Sequence, residues 1–279
     1  MRKPKPLQKV RRYLITALIL AIFCFPLYWA IINSIKIPLD TFAGSWIPFL
    51  QFKPTVANWT EELGNWETRR ALSNSAIVSV CSTGIVLCIG TLAAFSLASF
   101  KFHKMKNQDI TIWFLSQRVM PPVVFIVPFF MLMRSLKLID TLYALILINV
   151  TFTLPFAVII MRESFRGIPS ELTDAALVDG ASYGQIFYKI ALPLASGGLI
   201  AVGIICLAMV WNEFIFALSL SYDQATLMPV LIAGAEHTRG VQFWYVAVRV
   251  LLTISLPMII ALFVQRYLVR GLTLGAVKG

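Results

Sequence analysis

Six long apolar runs alternate with polar segments along the chain, at about residues 13–35, 75–100, 110–133, 141–161, 197–220 and 244–268. Each is long enough to cross a hydrocarbon core of roughly 30 Å as an α-helix. Four of the runs carry prolines: Pro26 in the first, Pro121, Pro122 and Pro128 in the third, Pro155 in the fourth and Pro257 in the sixth. Such breaks are tolerated in lipid where neighbouring groups re-satisfy the freed backbone. The pattern predicts an all-α polytopic membrane protein with six transmembrane helices. It divides the chain into an N-terminal segment 1–12, a six-helix domain 13–268 and a tail 269–279.

One segment departs from this alternation. Residues 162–193, RESFRGIPSELTDAALVDGASYGQIFYKIALP, form a polar island between the fourth and fifth runs. Helix signals are legible inside it. Pro169 breaks the chain, and Ser170 is placed to cap a short helix with Glu171 in its first turn. Leu172, Ala175 and Ala176 fall at i, i+3 and i+4, which gives a narrow apolar face. Gly180 is placed to end that helix in a left-handed turn. Ser182 and Gln185 then form an S-x-x-Q capping box for a second helix, whose Ile186, Phe187 and Ile190 are expected to pack against the bundle. Pro193 begins the turn into the next run. Residues 170–180 hold Glu171, Asp174 and Asp179 and no basic residue. Helices that lie on membrane surfaces are usually basic, so docking in a groove of a partner protein fits the island better.

Composition supports the membrane assignment. Of 279 residues 58% are hydrophobic and only 13% charged, against roughly 25% charged in soluble domains; the mean hydropathy is +0.80. A net charge of +11 would suggest nucleic acid in a soluble protein. Here the basic residues flank apolar runs, where topology and anionic headgroups account for them, and no nucleic-acid footprint is present. With the basic N-terminus inside, six spans return the C-terminus inside. The lysines and arginines then divide as 15 cytoplasmic, 7 external and 2 within spans, Arg118 and Arg249, which agrees with the positive-inside rule. Arg249 is expected to snorkel to the external interface. Cys24, Cys81, Cys88 and Cys206 all sit in apolar runs without a C-x-x-C pair, so a disulfide framework or metal site is not expected.

The island resembles the EAA loop of ABC importer permeases. Asp174-Ala175-Ala176, Gly180-Ala181 and Ile190-Ala191-Leu192-Pro193 keep that family's spacing, with Asp174 where the family has Glu. Trp211-Asn212-Glu213-Phe214, Leu227-Met228-Pro229-Val230 and the ending from Arg270 to Gly279 are similar to the MalG-like carbohydrate branch, a set of binding-protein-dependent type I importers with a MetI-like fold. The resemblance implies a permease subunit that binds no cofactor of its own. Its implied partners are a second permease subunit, two ATP-binding subunits carrying ATP and Mg, and an extracytoplasmic solute-binding protein, assembled in a bacterial-type inner membrane. It implies ATPase coupling through Asp174, Ala175, Ala176 and Gly180, with Glu171 and Asp179 as charged neighbours. The chain has no G-x-x-x-x-G-K-S/T phosphate cradle, so it is not expected to hydrolyse ATP.

Polar residues inside spans are costly and often mark a transport path. Asn149, Asn212 and Glu213, with Gln117 beside Arg118, are the pathway candidates; interhelical hydrogen bonding is the structural alternative for each. Gly90, Ala94 and Ala98 at four-residue spacing suggest a helix-packing seam. The competing class is an ion-coupled secondary carrier of small polar solutes, for which Glu213 is the main buried carboxylate. No nucleophile–base pattern points to an intramembrane enzyme.

Overall fold

The structure, a computed structural model, describes residues 6–234, 236–237 and 240–273, with side chains for 8–234 and 241–262. In chain order the helices are α1 (Pro6–Ser34), α2 (Pro38–Phe42), α3 (Ala57–Gly64), α4 (Trp66–Ser99), α5 (Asn107–Ser116), α6 (Ile126–Ser135), α7 (Leu142–Arg166), α8 (Ser170–Val178), α9 (Tyr183–Ile186), α10 (Leu192–Leu194), α11 (Ser196–Trp211), α12 (Ile215–Leu220), α13 (Met228–Ala233) and α14 (Phe243–Thr273). A 3₁₀ turn, Pro122–Phe125, precedes α6, and a π segment, Phe187–Ala191, joins α9 to α10. Two-residue strands β1 (Glu236–His237) and β2 (Gly240–Val241) pair antiparallel.

Four helices among the described residues are long and apolar enough to cross a membrane: Gln8–Ser34, Trp66–Ser99, Leu142–Arg166 and Phe243–Leu262. A fifth crossing exists if Tyr183–Leu194 and Ser196–Trp211, bent by 76°, count as one span. The expected count of six continuous helices is therefore not found, and prolines explain much of the difference. The third run breaks after Ser116, turns through Pro121 and Pro122, and resumes as the short α6. Proline removes an amide donor and pushes the preceding residue out of the helical region. Pro128 sits in the first turn of α6, where a missing N–H is tolerated. The fifth run is interrupted at residues 212–214, between α11 and α12. Pro26, Pro155 and Pro257 instead lie inside continuous helices.

The expected terminal boundaries move as well. Helix α1 already begins within the N-terminal segment, and α14 continues five residues into the expected tail; residues 274–279 lie outside the described residues. The bend into the fifth run comes at Ala195 rather than at Pro193, which is part of α10.

The chain divides into two compact units. The first comprises residues 1–69 and 232–255. Several of its buried polar groups are paired, although Asn33 Oδ1 has no partner among the described residues. Asn58 Nδ2 donates to the carbonyls of Ser34 at 3.0 Å and Lys36 at 2.7 Å. The Lys36 ammonium donates to the Ser45 carbonyl and lies 5.2 Å from the Trp29 ring centroid and 5.3 Å from that of Phe52. Arg249 does not snorkel. Its Nε and Nη2 meet the two carboxylate oxygens of Glu62 at 2.8 and 3.1 Å, and both side chains are buried. Thr68 Oγ1 donates to the same carboxylate at 2.6 Å.

The second unit, residues 70–231 and 256–279, holds two apolar clusters. In one, Phe95 of α4 meets Phe165 of α7 and Phe187 of the π segment, with ring centroids 5.6 and 5.2 Å apart. In the other, Phe152 of α7 meets Phe216 of α12 at 4.8 Å. The small-residue seam is present. Ala94 is fully buried, and a Cβ at Gly90 would come within 3.1 Å of Ala157 Cβ. A Cβ at Gly198 would overlap the Ser164 side chain, so α7 and α11 approach closely only because Gly198 has none.

One carboxylate gathers the backbone of a loop in this unit, which Asn74 Nδ2 also holds through the Gln224 and Thr226 carbonyls. Asp140, in the left-handed region at φ 57°, accepts the N–H groups of Tyr222 at 2.9 Å, Gln224 at 3.0 Å and Ala225 at 3.1 Å, and also that of Asp223. Burial alone would raise its pKa, but these N–H donors outweigh it and hold the carboxyl below its ordinary value. A carboxylate with a depressed folded pKa contributes stability that is complete above the unfolded pKa and is lost as pH falls through the folded one. The loop should therefore stay anchored until pH drops below the usual Asp range, near 4. Asp140→Ala should destabilise the unit by about 2–3 kcal/mol, as four N–H groups lose an ionised acceptor. Thermal unfolding of the purified protein at pH 7 and pH 3.5 checks both effects. A wild-type stability that falls already between pH 6 and 5 would contradict this assignment.

Candidate functional site: the α8 handle

The polar island folds as a short helix joined by a tight turn to a second one. Helix α8 starts at Ser170, and Pro169 occupies the N-cap position, so Ser170 makes no side-chain cap. Proline suits the extended N-cap backbone, and Glu171 remains in the first turn, where the dipole favours it. The end of the helix follows the sequence closely. Gly180 has φ 81°; its N–H donates to the Leu177 carbonyl at 3.0 Å, and the N–H of Ala181 reaches back to Ala176 at 2.9 Å. This is a Schellman closure, which needs a residue free to adopt the left-handed conformation. The capping box forms next: Ser182 N–H donates to Gln185 Oε1 at 2.8 Å, and Gln185 N–H to Ser182 Oγ at 3.3 Å.

Anchoring and exposure are cleanly separated. Ile186 and Phe187 are buried in the Phe95–Phe165 cluster, and Ala176 packs against it. Ile190 instead lines a groove of about 340 Å³ behind α8, together with Thr173, Asp174, Leu177, Tyr183 and Arg166. The outward face carries Glu171, Leu172, Ala175, Val178 and Asp179; Val178 is 88% exposed. The apolar face expected from Leu172, Ala175 and Ala176 is thus rotated. Ala176 faces the core, and Val178 completes the outward stripe. The three-residue spacing of Leu172, Ala175 and Val178 was the available signal for it.

The four pathway candidates are not brought together: among the described residues no hydrogen bond joins any two of them. Asn149 is buried on α7, and its Nδ2 bonds back to the Leu145 carbonyl at 2.9 Å. Asn212 caps the C-terminus of α11, exposed, with Nδ2 on the Ala208 carbonyl at 2.8 Å. Glu213 caps α12: Oε1 accepts from Phe216 N–H at 2.7 Å and Oε2 from Ala217 N–H at 2.9 Å. These amides have no carbonyl partner in the first turn, so the carboxylate repairs the broken span. Gln117 closes α5, half-buried, beside Arg118, whose guanidinium lies 4.7 Å from the Phe156 ring centroid.

Residues 87–274 match the family described as Binding-protein-dependent transport system inner membrane component. The chain belongs to this family. It is a transport permease component of the inner membrane, multi-pass, with a MetI-like fold. The match covers α8 and most of both apolar clusters. The permease is 33% identical to the trehalose/maltose transport system permease protein MalG of Thermococcus litoralis, over 95% of this chain and 96% of that one. It is 31% identical to the trehalose transport system permease protein SugB of Mycobacterium tuberculosis, over 90% and 97%. A chain from the crystal structure of a bacterial ABC transporter involved in the import of the acidic polysaccharide alginate superposes with a TM-score of 0.76 at 19% identity, covering 96% of this chain and 99% of that one. At that identity the likeness bears on the fold.

Proposed function

We propose that this permease forms one half of the translocation pathway of an ATP-driven importer for a sugar or sugar derivative, and that α8 is its contact with an ATPase subunit. The observation that carries the reading is the outward face of α8: an apolar stripe flanked by carboxylates, on a helix closed at Gly180 and anchored through Ile186 and Phe187. Two ATP-binding subunits supply ATP and Mg, a second permease completes the pathway, and an extracytoplasmic binding protein delivers the cargo. Both termini lie in the cytoplasm. The sugar assignment is supported by the relatives named for trehalose and maltose.

A docked ATPase shifts transport states only if it interacts differently with each of them. A rigid α8, with Ala176 and the neighbouring Ile186 and Phe187 set in the core, converts displacement of its outer face into strain on α4 and α7. Glu171, Asp174 and Asp179 add charge around the contact, Ala175 allows close approach, and Gly180 fixes the exit of the chain. The ion-coupled carrier loses ground, because both carboxylate oxygens of Glu213 already accept backbone N–H groups.

The reading is tested by purifying the native complex, identifying its subunits by mass spectrometry and measuring uptake in vesicles. Uptake should require ATP, and uptake driven by an ion gradient through this chain alone would overturn it. The pathway residues separate in the same assay. Asn212→Ala should raise the KM for cargo without altering thermal stability, since its side chain is exposed and, among the described residues, bonded only to its own helix. Unchanged KM and rate would remove Asn212 from the pathway. Glu213→Ala should instead cost about 1–2 kcal/mol of stability, the usual cost of losing an N-cap.

A further inference from the structure

A second pocket, of about 440 Å³, lies beside the groove behind α8 and shares Ala98, Ser99 and Arg166 with it. It opens where the loop after α4 turns into α5. Lys101, Lys106, Arg162 and Arg166 line it, and among the described residues no carboxylate does. The frame is fixed by Asn107: its Nδ2 donates to the carbonyls of Leu97 at 2.9 Å and Phe100 at 2.6 Å, and its Oδ1 accepts the N–H of Phe102 at 3.0 Å. These bonds occupy carbonyls at the end of α4 that would otherwise repel an anion. The opposite wall is the start of α5, whose N-cap residue Lys106 makes no side-chain cap.

Charge is not balanced locally. Glu163 is shared between Arg162 Nη1 at 2.7 Å and Arg166 Nη1 at 3.7 Å, and neither lysine has a salt bridge among the described residues. Arg162 Nε is buried with no acceptor among the described residues. A buried donor without a partner is costly, and a guanidinium edge matches an anion that presents several oxygens. The loop sequence Lys101-Phe102-His103-Lys104-Met105-Lys106 interleaves cations with exposed apolar side chains, Phe102 and Met105. Cations among apolar anchors mark a segment at a headgroup boundary. A basic pocket between membrane helices on the cytoplasmic side is suited to an anionic lipid headgroup.

We propose that this pocket binds the phosphate of an anionic phospholipid in the inner leaflet, with Arg162, Arg166, Lys101 and Lys106 as its donors. The proposal rests on the permease reading above for the choice of leaflet. A lipid held there would touch the cytoplasmic ends of α4 and α7, beside the handle, and would brace the helices through which α8 acts.

The test uses the permease in its native complex, in nanodiscs containing phosphatidylglycerol and phosphatidylethanolamine, with retained lipid counted by native mass spectrometry. Wild type should retain phosphatidylglycerol selectively. The double variant Lys101→Gln/Lys106→Gln, altered only at exposed positions, should weaken retention by about thirtyfold, and Arg162→Gln should weaken it further. The control Lys9→Gln/Arg12→Gln, on exposed α1, should leave retention unchanged. Equal loss in that control, or retention unaffected by the pocket variants, would overturn the site. Inorganic phosphate is the second probe. Binding of phosphate without any phosphatidylglycerol retention would replace the lipid by a free anion and overturn the proposal. Loss of the ATPase subunits from the pocket variants, with no lipid retained by wild type, would do so too. ATP-dependent uptake by wild type is measured separately, so failure of the importer reading stays distinguishable from failure of the lipid site.

Discussion

Ala175→Trp should abolish coupling while leaving the permease folded. Ala175 is exposed on the outer face of α8, between Leu172 and Val178. Exposed substitutions usually change stability by no more than about 0.5 kcal/mol. Under the proposed ATPase contact the same position is the centre of a docking face, where a misfit costs about 2 kcal/mol or more. Sugar uptake and cargo-stimulated ATP hydrolysis by the reconstituted complex should therefore fall by at least about thirtyfold, with an unchanged unfolding temperature for the permease alone. Ala175→Ser should be nearly silent. Gly180→Val separates the two effects. Nothing lies within 4 Å of a Cβ there, so its cost comes from the backbone at φ 81°, about 1–2 kcal/mol. It should lower stability and coupling together, whereas Ala175→Trp lowers coupling alone. Normal uptake and ATPase stimulation in the Ala175→Trp complex would remove α8 from the ATPase contact.

The ease with which this handle is read from sequence has a physical cause. Its geometry is local: Gly180 closes bonds to Leu177 and Ala176, and Ser182 pairs with Gln185 three residues on. Turn and cap chemistry of that kind is written in adjacent residues. The expected cap at Ser170 failed on a neighbour, since Pro169 took the N-cap position. The number of spans was less legible, because a proline in an apolar run has two outcomes. Pro121 and Pro122 break the third run, while Pro155 is absorbed, buried, in the continuous α7. Which outcome holds depends on packing around the helix. The capping bonds of Glu213 were not legible: hydropathy marks it as a costly group in a span, but not that both oxygens repair a helix start. Glu62 and Arg249 lay beyond sequence reasoning altogether, since 187 positions separate them.

That pair should give the largest stability effect in the first unit. Arg249→Ala leaves the Glu62 carboxylate buried, with only Thr68 Oγ1 donating to it among the described residues. Removing one member of a buried ion pair typically costs about 3–5 kcal/mol, most of it the desolvation of the charge left behind. The same reasoning predicts an asymmetry. Glu62→Leu combined with Arg249→Met removes both charges and keeps much of the volume, so the double variant should be markedly more stable than Arg249→Ala. A pair valued for its attraction alone would give the opposite order, with the double variant the weaker. Unfolding of the detergent-purified permease, followed by the accessibility of a cysteine placed on α3, measures all three. A loss below about 1 kcal/mol for Arg249→Ala, the range of exposed pairs, would mean that water reaches the pair. The position then matters for transport: a polar group that hydrates on opening is free to change partners, whereas a dry pair holds α3 to α14 in one register. The double variant should accordingly retain ATP-dependent uptake if the pair is a structural pin, and lose it if the charges themselves take part in opening.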